Sequence, residues 1–159
     1  MEQDARGSVA VVGLTILAVV LSVFWWFTRR TPEDVCIEFV IPDGFRGVFF
    51  LELDPDDGTS PEWRGNTAIY YIPRSGVLKV SSFDLFEQWH TERGRYSNGQ
   101  PLTADESISQ EQYEQSVLLR DAFSMSDGVV ERIYFVVGTE KDLMNFRETN
   151  RVWWEGPED

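Results

Sequence analysis

Several groups of residues in this chain are of types that chemistry uses. Asp54, Asp56 and Asp57 precede Gly58 in "DPDDG". Hard cations such as calcium need several oxygens from a tight turn, which such a run could offer. The spacing departs from a calcium loop. Counting from Asp54, position five is Gly58, where an oxygen ligand is required, and glycine belongs at position six. A solvated acidic hairpin loop is the expectation. His90 is the single histidine, with Glu87 and Glu92 near it in sequence. Imidazole titrates near neutrality, so this set could move a proton or hold a metal. A catalytic zinc takes three protein ligands, however, and no ligand-spaced motif surrounds His90. Ser75 precedes a glycine but lacks the GxSxG elbow. Cys36 is the single cysteine, which excludes an internal disulfide and any CxxC pair. The glycines of "PDGFRG" do not lead from a strand into a helix, so no phosphate cradle is expected. The sequence therefore predicts no catalytic residue, no metal ligand and no cofactor. The alternative is a small metal-dependent or hydrolytic enzyme using His90 and loop carboxylates.

Aromatic residues are the remaining chemistry. Tyr70 and Tyr71 are adjacent, so in a strand one of them must leave the core. Trp63 and Trp89 fall in loop-like stretches, and Trp153 and Trp154 in the tail. Exposed Trp and Tyr are favoured in binding patches, so Trp63, Tyr71, Trp89, Trp153 and Trp154 are the candidate contacts. The simpler reading is that they cap the ends of a small core.

The elements that must position these residues follow a period of two. In "VCIEFVI" (35–41), Val35, Ile37, Phe39 and Ile41 share one face; in "GVFFLEL" (47–53), Phe49, Leu51 and Leu53 do. "TAIYYI" (67–72) and "VLKV" (77–80) read as further strands. Two Ile-Pro segments, "IPDGFRGVFFLEL" and "IPRSGVLKV", place glycine turns ahead of strands, and Gly44, Gly47 and Gly76 are assigned to backbone conformation rather than to a site. Residues 81–106 are the least legible. "FDLFEQWH" has room for two helical turns, "ERGRYSNGQP" has loop composition, and 109–115 could start a helix. Residues 117–126 and 129–137 flank Asp127-Gly128, a strong hairpin signal, with Gly128 as the turn residue. Gly138 ends the return strand. Thr139 is the predicted helix cap, with Asp142 at the capping-box position, for a helix over 140–148 that Leu143 and Phe146 would dock. Several short strands with turn punctuation and no βαβ rhythm predict a mainly β fold. The expected form is an antiparallel β-sandwich, immunoglobulin- or prealbumin-like, with a short C-terminal helix.

Residues 7–28 carry no charge and would rise about 33 Å as a helix, enough for a hydrocarbon core of about 30 Å. Trp25 and Trp26 stand near the end of this stretch, and Arg29 and Arg30 follow it. Its apolar run is too long for a cleaved leader, and "FWWFTRR" offers no small-residue cleavage site. The organisation read from the sequence is an N-terminal tail (1–6), a single-pass transmembrane helix (7–28), a linker (29–34), a β-sandwich domain (35–150) and an acidic tail (151–159). Membrane lipid is thus the expected partner of residues 7–28. The formal net charge of −13 argues against nucleic acid and against a basic lipid-binding surface. Arg6 before the span against Arg29 and Arg30 after it weakly favours a cytoplasmic domain.

The ordered set "IPDGFRGV" (41–48), "IPRSGVL" (72–78), Trp89 and "FVVGTE" (135–140) resembles an uncharacterised family of bacterial domains. The pattern covers about residues 35–146. The family is often secreted or membrane-anchored, so the resemblance implies an extracytoplasmic domain, although the lipid-anchor cysteine motif is missing here. It implies no activity and no catalytic residue. The combined expectation is a membrane-anchored, non-catalytic binding or interaction module of unknown protein partner; a cytoplasm-facing accessory subunit of a membrane complex is a further alternative.

Overall fold

A computed structural model of the chain describes residues 35–104 and 107–150. Its elements are β1 (Val35–Ile41), β2 (Gly47–Leu53), β3 (Glu62–Arg64), β4 (Thr67–Tyr71), β5 (Val77–Val80), β6 (His90–Tyr96), α1 (Gln110–Gln115), β7 (Leu118–Ser126), β8 (Glu131–Gly138) and α2 (Glu140–Thr149). They form two four-stranded sheets, in the orders β3-β4-β1-β6 and β5-β2-β8-β7. The predicted span over 7–28 and the tail over 151–159, with Trp153 and Trp154, lie outside the described residues. Among the described residues no helix is long and apolar enough to cross a membrane.

The fold is mainly β with two sheets and a C-terminal helix, as expected, but the sheets are mixed rather than antiparallel. β1 runs parallel to both β4 and β6, and β2 parallel to β5. Only the pairs β3–β4, β2–β8 and β7–β8 are antiparallel. Parallel neighbours need a crossover that covers the sheet. Here a strand of the opposite sheet does the covering. The chain leaves β1 for β2 in the other sheet before returning to β3 and β4, and leaves β4 for β5 before returning to β6. The absence of a βαβ rhythm therefore does not exclude parallel pairing.

Alternation places Ile37, Phe39 and Ile41 of β1 opposite Phe49 and Leu51 of β2 and Phe135 and Val137 of β8, all of them buried. Phe39 touches both Phe49 (ring centroids 5.5 Å) and Phe135 (4.8 Å), so the sheets meet through one aromatic cluster. Tyr70 faces this core, and burial pushes its phenol up to about 12. A smaller cluster lies on the other face of the second sheet, where Leu143 of α2 packs on Ala122 and Val136. Thr139 caps α2. Its hydroxyl accepts from the Asp142 amide, and the Asp142 carboxylate accepts from the Thr139 amide at 2.8 Å.

The largest departure from the sequence reading is β6. "HTERGRY" has loop composition, yet it pairs with β1 along its whole length. Its two arginines sit on the outer face, where Arg93 and Arg95 both reach Glu38 of β1, at 3.2 and 3.3 Å. Glu38 is itself only 8% exposed, so the two guanidinium groups supply the compensation that a buried carboxylate needs. "EWR" (62–64), also read as loop, is a short edge strand on β4.

Candidate functional site

The sandwich has an open flank where β6, the edge of one sheet, faces β7, the edge of the other. At one end the flank is stitched shut by Leu102. Its amide donates to Gly94 O (2.8 Å) and its carbonyl accepts from the Leu119 amide (2.7 Å). Gly94 is needed there because a Cβ would stand 3.0 Å from Leu119 Cβ. Beyond the stitch, two residues along each strand, the inward positions are Glu92 on β6 and Asp121 on β7. The strands then part around a cleft of about 300 Å3. Phe86, Phe123, Ile133 and Tyr134 line it, the rings of Phe123 and Tyr134 being packed against Phe146 of α2, and His90, Glu92 and Asp121 form its polar end.

His90 is held at both ring nitrogens. Nδ1 lies 2.7 Å from the carbonyl oxygen of Gln88, and Nε2 lies 3.1 Å from Glu92 Oε1. The ring stands edge-on to Phe86 at 5.7 Å. Burial pushes the Glu92 carboxyl up to about 7; the neighbouring Asp121 carboxylate pushes it in the same direction, and His90 opposes both. Asp121 follows Leu119 onto the inward face by alternation, and just past it β7 carries a bulge between Asp121 and Phe123. The bulge frees two carbonyls, and Arg147 of α2 satisfies them, donating to Ala122 O (3.1 Å) and Asp121 O (2.9 Å). Next to it, Arg120 is 4% exposed and fully engaged, donating to Gly138 O, Tyr113 O and Glu140 Oε2, the last at 2.6 Å.

A carboxyl that titrates near neutrality beside an imidazole is equipped to exchange a proton. It is not equipped to activate a nucleophile here, because both ring nitrogens of the only histidine already have partners. Among the described residues no three His, Cys, Asp or Glu side chains are arranged to hold a metal ion.

The other sequence candidates lie apart from this cleft. Asp54 Oδ2 is paired with Lys79 Nζ at 2.7 Å and Oδ1 accepts from the Asp57 amide, so the acidic run is a turn closed by a lysine. That bond to Lys79, first, and the Asp57 amide, second, hold the Asp54 carboxyl below its usual range. Trp89 is 81% exposed. Trp63 and Tyr71 are half exposed on the β3–β4 hairpin, and the Tyr71 hydroxyl donates to Glu62 at 2.9 Å. Gly44, Gly47, Gly76 and Gly128 all have positive φ. Gly138 does not; it ends β8 where a Cβ would crowd the capping Asp142 side chain at 2.8 Å. Sequence reasoning missed Asp121, Arg120 and Arg147. The one available signal was the charged pair inside the strand "LLRDAF", which places an ionisable side chain on each face.

No protein-family model matches the chain. No curated protein matches it. Among solved structures it is similar to a candidate lipoprotein from Bacillus anthracis, at 11% identity and a TM-score of 0.42, over 65% of this chain and 68% of that one. A likeness of that size carries no argument about fold or function.

Proposed function

We propose that the chain is a membrane-tethered, non-catalytic binding or interaction module that receives a protein partner at the cleft between β6 and β7. The observation that carries this reading is the state of His90. With Nδ1 at Gln88 O and Nε2 at Glu92, no ring nitrogen is left for a metal or for a nucleophile's proton. A cleft open to solvent remains, lined by Phe86, Ile133 and the edge of the Phe123–Tyr134 stack, and aromatic side chains are the usual anchors of a contact surface. The uncharged stretch over 7–28 supports the tether, and the motif resemblance supports an extracytoplasmic domain.

The test is purification of the full chain in detergent with identification of what accompanies it, for the natural sequence and for Ser124→Arg. Ser124 is exposed and lines the cleft, so arginine fills the opening without entering the core. The partner should be lost from the variant while its thermal melting is kept. A partner retained at full yield would remove the cleft from the proposal. Hydrolytic turnover that vanishes in His90→Ala would establish the enzymatic alternative instead.

A further inference from the structure

β7 is the last strand of its sheet, and its second half has an open edge. On that side Leu102 takes the Leu119 amide, and Arg147 takes the Asp121 and Ala122 carbonyls. Past the bulge, Phe123–Ser126 pair with β8 alone among the described residues. An unpaired strand edge is a template for another strand, and charged residues or proline commonly blunt it. The run "FSMS" (123–126) carries neither. Both faces beside this edge offer aromatic rings. Ser124 and its partner Ile133 face inward, where Phe83 and Phe86 line a hollow of about 380 Å3 that continues the cleft. Phe123 faces outward and stacks on Phe146 of α2, with ring centroids 5.5 Å apart.

α2 delivers the chain to this edge. It runs along β7 from Glu140, which accepts from Arg120, through Leu143 on Ala122, to Phe146 on Phe123. One turn later Asn150 closes the helix, its amide donating to Phe146 O. The next residues are Arg151, Val152, Trp153 and Trp154, followed by Glu155-Gly156-Pro157. "RVWW" has the β-branched and aromatic content of a strand, and Gly-Pro ends it. Three extended residues reach about 10 Å, roughly the separation of two packed layers. Adjacent residues of a strand point to opposite faces. A strand on this edge therefore sets one tryptophan in the inner hollow and the other beside Phe123 and Phe146.

We propose that residues 151–154 are the strand that completes the open edge of β7, with Trp153 and Trp154 as its anchors, one on each face of the sheet. The attachment to α2 favours this occupant over the same segment of a second copy. A segment joined by so short a link competes at an effective concentration on the order of millimolar. The docked tail stands at the mouth of the cleft, so a partner enters by displacing it, and only that consequence rests on the reading above.

The experiment uses no partner. In the full chain, purified in detergent and monomeric, amide hydrogen exchange over 151–154 should be about tenfold or more slower than in unstructured chain. In a Trp153→Ser, Trp154→Ser double variant, exchange over 123–126 should rise by about tenfold while β1 and β2 keep their protection. The first measurement needs no variant, so it decides even if the double variant folds poorly. Exchange of 151–154 at the unstructured rate, or an unchanged 123–126 segment in a folded double variant, would overturn the proposal. Protection of 151–154 that is lost on dilution together with a dimer would give the edge to a second copy and overturn it equally. None of these results bears on whether a partner binds.

Discussion

Arg147 Nη2 lies 2.9 Å from the main-chain carbonyl of Asp121, so a helix on the outer face of one sheet is bonded to the main chain of a residue whose carboxylate stands on its inner face. The bulge between Asp121 and Phe123 would otherwise present unpaired carbonyls, and Arg147 takes two of them with a planar fork. Arg147→Met keeps an unbranched stem on α2 and removes both donors. A lost charged hydrogen bond costs about 1.5–3 kcal/mol, so the melting temperature should fall by several degrees. Asp121 would also be less fixed against Glu92, and the Glu92 titration should move down toward the ordinary carboxylate range. Carboxyl 13C spectroscopy reads that movement. An unchanged Glu92 titration would show that the bulge does not position Asp121.

Stability should depend on pH through Glu92 in an unusual direction. Below about 4.5 the group is protonated in both folded and unfolded chain and contributes nothing. As pH rises toward about 7, the unfolded chain gives up the proton while the folded chain keeps it, so the folded state binds more protons and stability falls. Above about 7 the full penalty stays constant, with an upper bound of roughly 3 kcal/mol. The depressed carboxyls act in the opposite sense and earlier. Asp142, held down by the Thr139 amide, and Asp127, held down by the Val130 and Val129 amides, add stability as pH rises through the acid range. Melting temperatures of Glu92→Gln and the natural chain should therefore converge near pH 4.5 and separate by pH 8, with the variant higher. A gap that does not widen with pH would contradict this.

Calcium should not bind tightly at the acidic turn. Asp54 already spends one oxygen on Lys79 and the other on the Asp57 amide, so a cation would have to displace an ammonium group to reach it. Calorimetric titration should show no saturating heat near micromolar calcium. Lys79→Ala should leave that result unchanged, because the ligand spacing is still wrong. A saturating heat in the natural chain that Asp56→Ala abolishes would reverse the assignment.

Local signals explain which parts of the fold were legible. The strands over 35–41, 47–53 and 77–80 keep their predicted bounds because alternation and turn residues are short-range properties. The Asp127-Gly128 turn and the Thr139 cap are legible for the same reason. Pairing direction was not, since β1 meets β4 and β6 only through contacts distant in sequence, and a turn dipeptide reveals only the strand that follows it. β6 was hidden because Arg93 and Arg95 look like loop residues until Glu38 is placed beneath them. Once 90–96 is a strand, His90 and Glu92 fall on one face by period two, which the loop reading could not show. Alternation in "LLRDAF" puts Asp121 on one face, but that Glu92 stands across from it needed both sheets.

The stretch over 7–28 should hold the protein in the membrane. Alkaline carbonate washing should leave the full chain in the pellet, and its release would remove the tether. The side is decided by reporters fused after Asp159. A reporter active only outside the cytoplasm should be active, as the motif resemblance implies. The arginine count predicts the opposite, so a silent outer reporter beside an active cytoplasmic one would make the domain a cytoplasm-facing subunit.

The glycines ahead of β5 and after β2 should prove structural, and by different mechanisms. Gly76 has φ +75°, and a Cβ there would stand 3.0 Å from Val48 O, so alanine adds both backbone strain and a close contact. A residue in that region costs about 1–3 kcal/mol, or several degrees of melting temperature at roughly 4–8 °C per kcal/mol for a domain of this size. Gly58 has no positive φ, but a Cβ there would overlap the main chain of Val80 and Asp54. Its amide also closes the turn onto Asp54 O at 2.7 Å. No side chain can yield at that point, so Gly58→Ala should be the more damaging of the two. Gly128→Ala, with φ +82° and open space around it, meets strain alone and should be the mildest. Melting of the three variants should follow that order, with partner binding falling only as the folded fraction falls. A Gly76→Ala protein that melts like the natural chain yet has lost its partner would make this turn a binding site.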